Sequence, residues 1–195
     1  MSRLLCLLLL AFASTTSAND DLSFPFTSEN LKNWRFASDQ VMGGLSEGAV
    51  SVKEDEGKVF TRLVGKVSTD NNGGFLKLRT TTSRKNKPLM FKAIHNSKKN
   101  GQQLKGVRLN VRGNEETYHI FIQTSIFYKL PYGFYIATFK TTPDWQTVDI
   151  PFTEFSVEGK KYSAFDPEDI KTFAIVAYGR DFSADVSVSQ IDFYY

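Results

Sequence analysis

From Trp34 onward, hydrophobic and polar positions alternate with a period close to two. Val107, Leu109 and Val111 alternate with Arg108, Asn110 and Arg112. Tyr118, Ile120 and Ile122 alternate with His119, Phe121 and Gln123, and Gln146, Val148 and Ile150 with Thr147 and Asp149. Successive side chains of a strand point to opposite faces, so this pattern predicts half-buried β-strands. Phe173-Ala174-Ile175-Val176-Ala177 is apolar on both faces and predicts a central strand covered on each side. Further strands are predicted over 49–53, 59–68, 75–79, 134–140 and 186–194. In the last, Val186 and Val188 keep one register and Ile191 and Phe193 the other. One extra residue near Ser189-Gln190, a β-bulge, reconciles them.

Helix signals are few. Residues 20–33 read as a polar lead-in with one helical turn at Ser28-Glu29-Asn30-Leu31-Lys32. Asp166-Pro167-Glu168-Asp169 combines an N-cap residue, Pro at the first helical position and acids in the first turn, predicting one short helix that feeds the central strand. About ten short strands separated by Gly, Pro and Asn turns make an all-β sandwich or barrel with at most one or two short helices. Two glycine turns punctuate the chain, Ser38-Asp39-Gln40-Val41-Met42-Gly43-Gly44-Leu45-Ser46 and Asn71-Asn72-Gly73-Gly74-Phe75, each just before a strand. In the first, Asp39 and Ser46 are expected to tie the turning backbone and Met42 to plug it with an apolar side chain. One connection is long: Thr80 to Lys105 spans 26 residues and carries Arg84, Lys85, Lys87, Lys92, Lys98 and Lys99. It reads as a solvated basic insertion or a functional loop. Leu89 to Ile94 within it is an extra strand or helical turn.

Composition narrows the class. Met1-Ser2-Arg3, the apolar run Leu4 to Phe12, and small residues ending at Ala18 read as a secretory signal peptide over 1–18. The apolar run is about half of what a membrane span needs. Residues 19–195 then form one domain. The single cysteine, Cys6, leaves with the leader, so neither disulfides, thiol catalysis nor Cys-ligated metal is expected. Without Arg3, 23 basic residues face 21 acids. That balance argues against a nucleic-acid partner or a membrane-surface binder.

Candidate chemistry is sparse. Gly44-Leu45-Ser46-Glu47-Gly48 has the G-x-S-x-G spacing, but a nucleophile elbow needs a strand before it and a helix after it, and here a strand follows. His95 and His119 are the chain's two imidazoles, with no ligand-spaced partners, so no metal or cofactor is called for. Glu54-Asp55-Glu56-Gly57 reads as a solvated hairpin tip. Binding chemistry is richer. Ile126 to Tyr135 packs five rings around Pro131-Tyr132-Gly133, with Tyr128, Tyr132 and Tyr135 as candidate platform residues for a sugar or an apolar partner group, or as plain sheet cover. Arg79 and Arg112, at strand ends near glycines, suit carboxylate or hydroxyl contacts, or structural ion pairs. Trp34 and Trp145 open strands, and Trp145, followed by Ile150-Pro151-Phe152, is expected in the core.

These pieces together resemble the family of the complex I intermediate-associated protein 30 domain. The resemblance rests on Trp34, the S-D-x-x-M-G-G-x-S run of 38–46, Phe60, Gly65-Lys66-Val67-Ser68, Gly73-Gly74-Phe75, Arg79, Gly106 to Gly113, Tyr118, Trp145, Ile150-Pro151-Phe152 and Phe155. It implies a galactose-binding-like jelly-roll β-sandwich, which often carries a structural calcium held by carbonyls and one Asp; the sequence does not locate one. It marks Asp39, Met42, Gly43, Gly44, Ser46, Gly73, Gly74 and Phe75 as a structural signature. Mitochondrial members are assembly factors, whereas this chain carries a secretory leader. The expectation is a secreted or periplasmic, non-catalytic module that binds a glycan or protein partner through its loops and one sheet face. The alternative is an assembly factor or chaperone for a membrane or envelope complex.

Overall fold

The computed structural model of the chain describes residues 22–27, 29–80, 94, 97, 101–125, 133–157 and 166–195. The leader, most of the basic 80–105 connection, Tyr128 and Tyr132 lie outside them. Among the described residues, twelve strands form two antiparallel sheets packed face to face, the jelly-roll sandwich expected from the sequence. One sheet runs β3 (Glu47–Asp55), β4 (Lys58–Val67), β12 (Phe182–Tyr194), β6 (Gly106–Gly113), β9 (Gln146–Pro151), and β1 (Leu22–Pro25) also pairs with β12. The other runs β10 (Ser156–Val157), β8 (Tyr135–Lys140), β7 (Thr117–Thr124), β11 (Ile170–Tyr178), β5 (Phe75–Thr80), β2 (Trp34–Ser38).

The period-two pattern maps onto the layers. Val107, Leu109 and Val111 of β6, Tyr118, Ile120 and Ile122 of β7, and Phe173, Ile175 and Ala177 of β11 are all fully or nearly fully buried between the sheets. β11 is central and covered on both faces, as its apolar run predicts. The slip in the last strand is real: β12 shifts register against β6 between Val188 and Gln190. The shift lets Val186 and Val188 before it, and Ile191 and Phe193 after it, all reach the core. The acidic hairpin tip closes β3 onto β4, with Glu56 (φ 50°) and Gly57 (φ 76°) both left-handed, as a two-residue type I′ loop requires. The 166–169 signal forms a single 3₁₀ turn, Pro167–Asp169, whose cap Asp166 accepts from the Glu168 N–H at 2.9 Å.

Two expectations are corrected. The lead-in contains β1, recruited by backbone pairing with β12 from Leu22↔Phe193 to Pro25↔Gln190, which its own polar composition does not signal. Trp145 is only half-buried and lies on the outer face of the first sheet against Phe60 (5.4 Å between centroids). Trp34 is the core tryptophan instead, packed on Phe26 at 5.0 Å and edge-on to Phe173 at 6.2 Å.

Candidate functional site

At one end of the sandwich the two glycine turns meet on a single carboxylate. Asp39 is fully buried. Its Oδ1 accepts from the Ser46 N–H at 2.9 Å. Its Oδ2 accepts from the Gly74 N–H at 2.5 Å, the Phe75 N–H at 3.1 Å and the Ser46 hydroxyl. Burial pushes the Asp39 pKa up, but these four bonds to the charged form outweigh it and hold the group below the usual carboxylate range. The carboxylate sits so close to the chain that a Cβ on Gly44 would meet Asp39 Oδ1 at 2.4 Å, and one on Gly73 would meet Oδ2 at 2.6 Å. Gly43 is needed for conformation, at φ 89°. Ser46 Oγ also accepts from the Ser68 N–H at 3.0 Å. Fully buried and engaged by Asp39 and Ser68, this serine is part of a scaffold, and the G-x-S-x-G spacing carries no nucleophile. Met42 does not plug the turn: it is 52% exposed, beside Val41 at 76% and Leu45 at 54%.

Arg79 and Arg112 do not converge. Arg112 lies on the outer face of the β3-β4-β12-β6-β9 sheet. It pairs with Asp55 at 3.1 Å and stacks over Phe60 at 4.9 Å and Trp145 at 4.8 Å, while Lys58 lies over the same indole at 4.7 Å. That is the structural ion-pair alternative, with the guanidinium held by a carboxylate and two rings. Arg108–Asp149 and Arg62–Asp185 pairs flank it on the same face.

Arg79 lies on the outer face of the opposite sheet, beside a row of rings that crosses four neighbouring strands. Phe134, just ahead of β8, contacts Phe121 of β7 at 4.9 Å. Phe121 meets Tyr178 of β11 at 5.1 Å, and Tyr178 is the register partner of Phe75 on β5. His119 sets its ring edge-on to Tyr178 at 5.5 Å. Lys77 lies over Phe75 at 4.5 Å and reaches toward Phe134 at 6.0 Å. Ala174 and Val176 form the buried floor, and Tyr178 and Arg79 stand exposed at the surface. Burial is the main cause holding the Lys77 ammonium below its usual pKa, with Arg79 adding repulsion. Burial, with Arg180, likewise holds the His119 imidazole below its ordinary value against a backbone hydrogen bond with Val176. Its Nδ1 is buried with no hydrogen-bond partner among the described residues.

Of the three candidate tyrosines, Tyr135 turns inward and is 4% exposed in the core, so it offers no platform. The alternation along β8 explains this: Ile136 and Thr138 share the outer face and Tyr135 the inner. The ring row was legible only in fragments, as Phe121 alternating with core positions and His119 beside it, because its members come from segments far apart in the chain. Among the described residues no group of three or more His, Cys, Asp and Glu gathers as a metal site, and no helix is long and apolar enough to cross a membrane.

No curated protein matches the chain. Its architecture is similar to solved structures at low identity. A family 11 carbohydrate-binding module from Clostridium thermocellum in complex with a β-1,3-1,4-mixed-linked tetrasaccharide superposes with a TM-score of 0.61 at 12% identity, covering 88% of this chain and 95% of that one. The family 11 module of the cellulosomal cellulase Lic26A-Cel5E from the same organism gives 0.59 at 13%, covering 83% and 87%. A family 30 carbohydrate-binding module gives 0.53 at 16%, covering 88% and 97%. These likenesses establish the fold. The family model described as complex I intermediate-associated protein 30 (CIA30) matches residues 24–187, nearly all of the sandwich and both halves of the Asp39 knot, and the chain belongs to that family.

Proposed function

We propose that this protein is an exported, non-catalytic glycan-binding module whose ligand lies along the outer face of β5, β11, β7 and β8. The observation that carries the reading is the ring row Phe75, Tyr178, His119, Phe121 and Phe134, with Lys77 and Arg79 beside it. Sugar rings present apolar C–H faces that stack on aromatic side chains, while their hydroxyls need planar polar partners such as a guanidinium. The exposed Arg79 guanidinium supplies such a partner. The β-1,3-1,4-mixed-linked tetrasaccharide held by a module of similar fold makes mixed-linkage β-glucan the first probe. Export rests on the leader pattern of residues 1–18, and N-terminal sequencing of the mature protein should begin at Asn19.

The test is affinity electrophoresis of the full chain through gels containing mixed-linkage β-glucan, cellulose derivatives or agarose. Retardation on one polysaccharide, abolished in Tyr178→Ala and weakened in Arg79→Ala, supports the reading. Unretarded migration on all of them refutes it. A second reading, docking on a protein partner as an assembly factor, is favoured by Val41, Met42 and Leu45, which stand exposed on a turn made rigid by Asp39. It predicts a partner complex lost in Val41→Asp and retained in Tyr178→Ala.

A further inference from the structure

A polar cavity lies on the other sheet, where β12 changes partner. β4 pairs with β12 from Phe182 to Val188, and β1 takes over from Gln190. Between them sits the bulge at Ser189, whose carbonyl accepts from the Phe26 N–H at 2.9 Å. The gap between the strand ends opens a cavity of about 410 Å³ lined by Lys58, Asn110, Thr147, Ser189, Gln190 and Asp192, among others, within the ~300–1,000 Å³ range of small-ligand pockets.

Its hydrogen-bonding groups are only partly used. The Asn110 carbonyl accepts from Ser189 Oγ at 2.5 Å and Lys58 Nζ at 3.4 Å, leaving the two amide N–H donors without a protein partner among the described residues. Gln190 spends its amide N–H groups on Ser23 and Asp192, leaving its carbonyl. Among the described residues Asp192, 8% exposed, receives only the Gln190 amide, although a carboxylate can accept several bonds. The Thr147 hydroxyl has no partner among the described residues. Charge does not select an anion here: the lining carries Asp192 as well as Lys58, and Arg108 is held by Asp149 at 2.6 Å. The unspent set is therefore two amide donors, one amide and one carboxylate acceptor, and a hydroxyl. Vicinal hydroxyls, each able to donate one bond and accept others, satisfy such a mixed set; a phosphate or carboxylate, which only accepts, does not.

We infer that this cavity is a binding site for a single neutral hexopyranose, separate from the ring row on the other sheet. The test uses ¹⁵N-labelled full chain and reads the side-chain amide resonances of Asn110 and Gln190 during titration with D-glucose, D-galactose and D-mannose, with glycine as a zwitterionic control. Expected is a saturable shift of both amides with at least one hexose. Thr147→Val, a near-isosteric change at an exposed position, should weaken it about fivefold, the value of one hydrogen bond, and Tyr178→Ala should leave it unchanged. Absence of a shift with all three hexoses, a shift with glycine alone, or an affinity unmoved by both Thr147→Val and Asn110→Ala would each overturn the inference.

Discussion

Removing the Asp39 carboxylate should cost far more than a turn residue ordinarily does. A single side chain–backbone hydrogen bond contributes about 1 kcal/mol, which is what a lone capping aspartate would suggest. Here one fully buried carboxylate receives four bonds from two turns 35 residues apart. Bonds to a charged group contribute about 1.5–3 kcal/mol each, and a buried donor left unpaired costs about 1–3 kcal/mol. They share one acceptor and do not add, so Asp39→Ala should lose about 3–5 kcal/mol and Asp39→Asn about 2–4 kcal/mol. The asparagine keeps one acceptor but must turn an N–H₂ toward either Ser46 N–H or the Gly74 and Phe75 N–H groups. Against a typical total of about 5–15 kcal/mol, this is a large fraction. Urea unfolding followed by tryptophan fluorescence measures it, with an unchanged m-value showing that only the native state moved. The pH dependence checks the cause. The folded pKa is depressed, so the stabilisation is present above the unfolded value near ~3.9 and is lost as pH falls through the folded one. The gap between wild type and Asp39→Asn should therefore close in acid, where both carry a neutral side chain. An unfolding free energy for Asp39→Ala within about 0.5 kcal/mol of wild type would refute the view that this carboxylate holds the two turns together.

Three further outcomes follow from the same geometry. Gly44→Ala should destabilise by about 2–3 kcal/mol, because its Cβ would meet Asp39 Oδ1 at 2.4 Å. The cost should shrink when Asp39 is also alanine, a coupling that a double-mutant cycle in urea reads directly. Arg112→Ala should cost about 1 kcal/mol, since its ion pair with Asp55 is half exposed and its stacking on Phe60 and Trp145 is modest. It should alter Trp145 fluorescence and leave polysaccharide retardation unchanged. His119 should titrate below its usual value of ~6.5 in an NMR pH series, because burial opposes the charged ring. With the folded pKa lowered, the unfolded chain binds the proton more readily, so His119 makes stability rise as pH climbs toward the unfolded value. Saturating oligosaccharide on the ring row should move its resonances.

What the sequence determined by itself was local. The alternation of apolar and polar residues named the faces of β6, β7 and β9, the two-sided apolar run marked β11 as central, and the phase slip located the bulge in β12. Each of these follows from side chains alternating within one strand, information carried by adjacent residues. The glycines of both turns were visible as turn residues for the same reason. Their union on Asp39 was not, because it depends on which strands neighbour one another, and β2 meets β5 only through the folded sheet. The same holds for the two arginines: both end strands near glycines, yet sheet membership puts Arg112 in an ion pair on one face and Arg79 beside the rings on the other. β1, Trp145 and Tyr135 were misread where a strand's partner or facing depends on pairing with distant segments. The ring row and the cavity at the bulge are likewise products of strand order. They assemble side chains from segments scattered over more than a hundred residues, and only tertiary packing brings those segments together.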